Sequence, residues 1–176
     1  EANCEPMGKN WISAMARNYT SRTNIILGFC AYGYHKGFFH KLVAYDNLIT
    51  GLQYISSALT GNPYTGNGRN LSYRKDLFFA HKGYYKSLSL HAGDDDLFIN
   101  ESATDQNTWV EYSPESITEM AKIDRFSMWK EMKVSRAATQ RYYKGWNLTF
   151  FRMESLSYFL FFIAVITSIV MGILGN

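Results

Sequence analysis

Cysteine is scarce in this 176-residue chain: Cys4 and Cys30 are its only two. Two thiols make neither a disulfide framework nor a thiolate metal centre, and a reduced compartment is the simplest setting. The four histidines, His35, His40, His81 and His91, show none of the spacings that bring two imidazoles onto one metal, such as His-Glu-x-x-His. The phosphate-cradling loop Gly-x-x-x-x-Gly-Lys-Ser/Thr is missing, and so is the Asp-x-Asp-x-Asp-Gly pattern of a calcium loop. A net charge of only +3, with basic residues spread rather than clustered, argues against a nucleic-acid partner. Internal repeats and low-complexity tracts are absent. Disorder is excluded by 47% apolar residues, enough at this length for one cored domain plus an appendage.

What stands out is Gly93-Asp94-Asp95-Asp96, which runs directly into Leu97-Phe98-Ile99. Adjacent carboxylates disfavour joint ionisation, so at least one pKa rises toward neutrality, as a general base requires. The same pattern also suits a helix start, where Asp residues favour the free N–H groups and the positive end of the macrodipole. Both readings expect the cluster to be held in place by the apolar run behind it.

Periodicity organises the rest. Ile25 to Phe29 reads as a short buried strand, and Phe38, Leu42, Tyr45, Ile49, Leu52, Ile55 and Leu59 form the apolar stripe of an amphipathic helix over 38–59. A Gly-, Asn- and Pro-rich loop over 61–68 follows. Residues 70–75 alternate like a strand, Asp76 is placed to cap a short helix through His81, and Trp109 to Tyr112 reads as another strand. Residues 116–145 read as one or two helices. Strands alternating with helices predict an α/β layer architecture.

Within that last stretch Trp129, Met132, Lys133, Arg136 and Gln140 share one helical face. An aromatic and two cations there suit either a phosphate group or anchoring among lipid headgroups. Leu156 to Leu174 then carries no charge over a length that suits a bilayer, with an aromatic approach of Trp146, Phe150, Phe151, Tyr158 and Phe159. A buried core helix is the competing reading. Arg141, Lys144 and Arg152 precede the span and nothing basic follows it, so the positive-inside tendency puts residues 1–150 in the cytoplasm. The division expected is a domain over 1–150 and a transmembrane helix over 151–176.

Four segments in this order, Glu1-Ala2-Asn3-Cys4, Gly66-Asn67-Gly68-Arg69-Asn70-Leu71-Ser72-Tyr73-Arg74-Lys75, Gly93-Asp94-Asp95-Asp96 and Trp129 to Arg136, with a hydrophobic helix after them, carry a resemblance. The chain resembles the C-terminal half of a membrane-associated family 2 glycosyltransferase of GT-A fold, the group of cellulose, chitin and hyaluronan synthases. In that family the segments are an Asp-x-Asp, a glycine-rich stretch ending in an aromatic and basic pair, an acidic catalytic motif and a Gln/Arg/Trp interfacial motif.

The resemblance implies inverting transfer of a sugar from a nucleotide-diphosphate donor to a glycan or lipid-linked acceptor hydroxyl at the cytoplasmic face of the cell (inner) membrane. It makes Asp95 the general base, with Asp94 and Asp96 beside it. Gly68, Arg69, Asn70, Arg74, Trp129, Lys133 and Arg136 become donor, diphosphate or acceptor contacts, and Glu1 and Asn3 the ligands of Mg²⁺ or Mn²⁺. Two departures bear on function. Asn3 stands where a second carboxylate is usual and offers an uncharged oxygen, and Met132-Lys133-Val134-Ser135-Arg136 lacks the usual Gln. The nucleotide-binding half that precedes Asp-x-Asp in the family has no counterpart here, so the sequence reads as a fragment expected to be inactive alone. An inactive membrane-anchored binding or scaffold module is the alternative.

Overall fold

The computed structural model describes residues 3–85, 87–88, 93–143 and 147–174. They divide into two compact units, residues 1–142 and 143–176. The first is mixed α/β, built on two small sheets.

One sheet has the order β4 (Leu71–Tyr73), β2 (Ile25–Gly28), β5 (Thr108–Glu111), with β2 antiparallel to β4 and parallel to β5. The other has the order β1 (Cys4–Pro6), β6 (Thr118–Met120), β3 (Cys30–Tyr32), with β6 antiparallel to β1 and parallel to β3. Strand β2 is buried along its whole length, which is why it reads as an unbroken apolar run rather than an alternation. Ile25, Ile26 and Leu27 share the core with Phe98, Ile99 and Val110.

Strands β2 and β3 are one extended segment that changes sheets at Phe29. Phe29 leaves the first ladder and accepts the Thr118 N–H of the second at 3.3 Å. Asn70, fully buried, brackets the crossing: its amide donates to the carbonyls of Phe29 and Ser116, each at 2.7 Å, and its oxygen accepts Trp11 Nε1–H at 3.0 Å. Asn70 thereby gives the Phe29 carbonyl a second donor and ties it to Ser116 and Trp11.

Helix α2 spans Phe38–Leu59, as its periodicity predicts, but the apolar stripe is not the face that docks. Its buried residues are Val43, Gly51 and Tyr54. Asn47 donates to the Cys30 carbonyl at 2.9 Å and Tyr54 Oη–H to the Gly28 carbonyl at 2.7 Å. Gly51 lies so close to Phe29 that a Cβ would fall 2.3 Å from its ring. Strand carbonyls left by the change of sheet draw the polar and small residues inward, because an unpaired buried carbonyl costs about 1–3 kcal/mol. Phe38, Tyr45, Leu48, Leu52 and Leu59 are left facing outward.

Sequence expectations are corrected elsewhere. The short helix α3 covers Lys75–Ala80, with Arg74 rather than Asp76 at its N-cap; Asp76 sits in its first turn. Residues 116–145 are not purely helical: a 3₁₀ turn (Pro114–Ser116) and β6 precede helix α5 (Phe126–Gln140). Strands β1, β3 and β6 and the six-residue helix α1 (Trp11–Ala16) were not expected. Helix α4 (Asp94–Ser102) begins with the three aspartates.

The second unit holds helix α6 (Asn147–Leu174). Its stretch Leu156–Ile173 is long and apolar enough to cross a membrane. Trp146 lies outside the described residues.

Candidate functional site

Helix α4 presents its acidic turn to a cavity of about 300 Å³, which Asn67, Arg69, Asp95, Asp96, Arg136 and Thr139 line. Three elements converge there: the loop before β4, the start of α4 and one face of α5. Gly93, left-handed at φ +90°, precedes α4 and packs so tightly against Thr139 that a Cβ would sit 2.1 Å from its methyl carbon.

Asp95 is fixed from the loop side. The Gly68 N–H donates to its Oδ2, and a Cβ on Gly68 would lie 2.7 Å from that oxygen. Burial first, then the neighbouring Asp96 charge, raises the Asp95 carboxyl to about 6, against the pull of the hydrogen bonds from the Gly68 and Asp96 backbones. The aspartates thus start a helix, and burial with the Asp96 charge lifts the Asp95 carboxyl above its ordinary range.

Asp96 is buried and crosslinked. Thr65 donates to its Oδ1 at 2.8 Å, and the Thr139 hydroxyl lies 3.3 Å from its Oδ2. That hydroxyl is also 2.9 Å from the Arg136 carbonyl, with one proton to serve both acceptors. Asp94 is exposed at the first position of α4.

Of the basic residues, Arg69 and Arg136 reach the cavity wall. Arg69 is buried, with Nη1 3.8 Å from Met120 Sδ. The exposed carboxylate of Glu131 joins Asp95 and Asp96 on the lining, so three carboxylates and two guanidinium groups meet in one concave site, which has groups able to take a proton from a hydroxyl and to hold an anionic phosphate.

The helical face expected over 129–140 divides. Met132 and Arg136 line the cavity, whereas Trp129 and Lys133 dock α5 on α2: Trp129 Nε1–H donates to Asp46 Oδ2 at 3.1 Å and Lys133 Nζ to Asp46 Oδ1 at 2.6 Å. Arg74 lies in the scaffold, donating to the carbonyls of Thr23 at 3.1 Å and Thr20 at 2.8 Å with its guanidinium over the Tyr19 ring. Asn70 is the bracket described above.

Thr65, Asn67, Ser135 and Thr139 join the site although sequence reasoning did not single them out. Met132, Ser135, Arg136 and Thr139 do share a helical face, a signal that the aromatic and charged residues obscured.

Asn3 is exposed on the wall of a second cavity of about 400 Å³, with Glu5, His35, Glu119 and Lys122. Its expected partner Glu1 lies outside the described residues. Among the described residues no group of three or more His, Cys, Asp or Glu side chains is arranged to hold a metal ion. They do not by themselves form a divalent-cation site.

No protein-family model matches the chain, and a search of the curated proteins finds no matching relative.

Proposed function

We propose that the protein is a membrane-anchored inverting glycosyltransferase of GT-A type, moving a sugar from a nucleotide-diphosphate donor to an acceptor hydroxyl on a glycan or lipid-linked acceptor. The observation that carries this reading is Asp95, a carboxyl raised to about 6 and pinned by the Gly68 N–H on a cavity that Arg69 and Arg136 also line.

In the proposed step the acceptor O–H gives its proton to Asp95 as its oxygen attacks the anomeric carbon. The bond from that carbon to the diphosphate breaks on the opposite face, and its electron pair leaves with the nucleoside diphosphate. Arg69 and Arg136 supply charge-assisted hydrogen bonds to the leaving group. Asp96, held by Thr65 and beside the Thr139 hydroxyl, raises Asp95 through its charge and positions the start of α4. Glu1 and Asn3 would be the ligands of Mg²⁺ or Mn²⁺, which would supply positive charge to the leaving diphosphate. The span at Leu156–Ile173 supports a site at a membrane, and Arg141, Lys144 and Arg152 before it favour the cytoplasmic side.

Asn3 in place of a carboxylate favours a second reading, an inactive binding module. Nucleoside diphosphate release decides between them. Membranes carrying the natural protein are given a panel of sugar nucleotides and an acceptor, beside the Asp95→Asn variant. Release that collapses in the variant supports the transferase and names the donor. Equal release from both removes Asp95 as base, and no release from either, with folding confirmed, leaves the binding module.

A further inference from the structure

Helix α2 leaves a long apolar face uncovered. Its outward residues Phe38, Tyr45, Leu52 and Leu59 are 83%, 64%, 53% and 60% exposed, and Leu42 and Leu48 are exposed between them. At 1.5 Å per residue the helix is about 33 Å long, so the stripe far exceeds the scattered apolar residues of an ordinary surface. Exposed Phe126 of α5 extends it at one end, its ring 6.2 Å from Phe39.

We infer that α2 lies on a lipid bilayer, its outward stripe seated at the boundary of headgroups and acyl chains. The inference rests on the membrane-bound part of the reading above and not on its transfer chemistry. Three observations select lipid as the occupant. First, thirteen residues, 143–155, join the first unit to the stretch that can cross a membrane, so a bilayer is present at high effective concentration. Second, the exposed residues of α2 include no acid. Their only charge is Lys41, with exposed Lys36 just before the helix, which suits an anionic lipid surface. Its one carboxylate, Asp46, is turned to Trp129 and Lys133. Third, apart from Lys41 and Ser56 the outward set is leucine with Phe38 and Tyr45, the composition of a helix lying in an interface plane.

The test uses the whole chain in vesicles of phosphatidylcholine with phosphatidylglycerol. A fluorophore is attached through Leu52→Cys, or through Arg22→Cys as an exposed reference, with Cys4→Ser and buried Cys30 left in place. Flotation reports membrane anchoring. Quenching by a doxyl label high on the acyl chain, against quenching by aqueous iodide, reports α2. Seated on lipid, the probe at 52 is quenched by doxyl several-fold more than the probe at 22 and is shielded from iodide; Leu48→Glu with Leu59→Glu returns it to the level of 22 while near-ultraviolet dichroism is unchanged.

Flotation with iodide quenching equal at the two positions overturns the inference alone, and so does shielding from both quenchers that is lost on diluting the protein in lipid, which means a second copy covers the stripe. Failure to float overturns the membrane-bound reading itself.

Discussion

The backbone N–H of Gly68 donates to Asp95 across 27 residues of sequence, and no side chain larger than hydrogen fits between them. That contact fixes the carboxyl from the loop side, and it makes two substitutions informative.

Asp95→Asn keeps an oxygen for the Gly68 N–H and removes the charge. A raised carboxyl contributes stability that is fully present below its unfolded pKa near 3.8 and is lost as pH rises through about 6. Above that the ionised group is a standing cost, so the variant should be more stable there by on the order of 3 kcal/mol, the difference fading toward acid pH. Denaturant midpoints over that pH range check it. If Asp95 is the base, transfer by the wild type rises through pH about 6 to a plateau, and the variant is inactive throughout.

Gly68→Ala puts a methyl 2.7 Å from Asp95 Oδ2, so the loop or the carboxyl must move. An overpacked contact costs about 1–3 kcal/mol, and a displacement near 1 Å costs about 10²-fold in rate. The proposal expects turnover to fall further than stability does. An unchanged rate in a folded variant would detach the loop from the chemistry.

Thr139→Val deletes a hydroxyl beside buried Asp96 and the Arg136 carbonyl. Leaving a buried acceptor short of a donor costs about 1–3 kcal/mol, and Thr139→Ser should restore most of it. Thermal melts of the three proteins decide. Equal melting of Val and Ser variants would mean that the threonine methyl against Gly93, not the hydroxyl, is what matters there.

Acid unfolding should run through Glu111, far from this cluster in sequence. Burial alone would raise its carboxyl, but hydrogen bonds from Ser113 and Asn18 and the charge of Arg17 hold it at about 2. A depressed carboxyl gives stability present above its unfolded pKa near 4.5 and lost as pH falls toward 2. On the order of 3 kcal/mol should disappear across that window in the wild type. Glu111→Gln should start lower and show a flatter acid limb in denaturant titrations.

How much was legible follows from how local each cause is. The bounds of α2 and the buried run of β2 rest on periodicity within a few turns, and both match. The three-residue strands β1, β3 and β6 are too short to show a period, and they exist because partners distant in sequence pair with them. Which face of α2 docks was hidden because it depends on the carbonyls of Gly28 and Cys30 rather than on hydrophobicity. At the site, the Gly68 segment, Asp95 and Arg136 were all singled out from the sequence, and all meet the cavity. Trp129 and Lys133 are diverted by Asp46, more than 80 residues away, a pairing that helical spacing cannot reveal.

The change of sheet at Phe29 makes the central strand of one sheet continuous with an edge strand of the other. Opening the second sheet pulls on Phe29, which pulls on Asn70 and hence on the ladder of β2. The two sheets should therefore exchange their amide hydrogens as a single cooperative unit, with Gly28 and Thr118 among the slowest and opening only in global unfolding, while the fringes at α3 exchange independently.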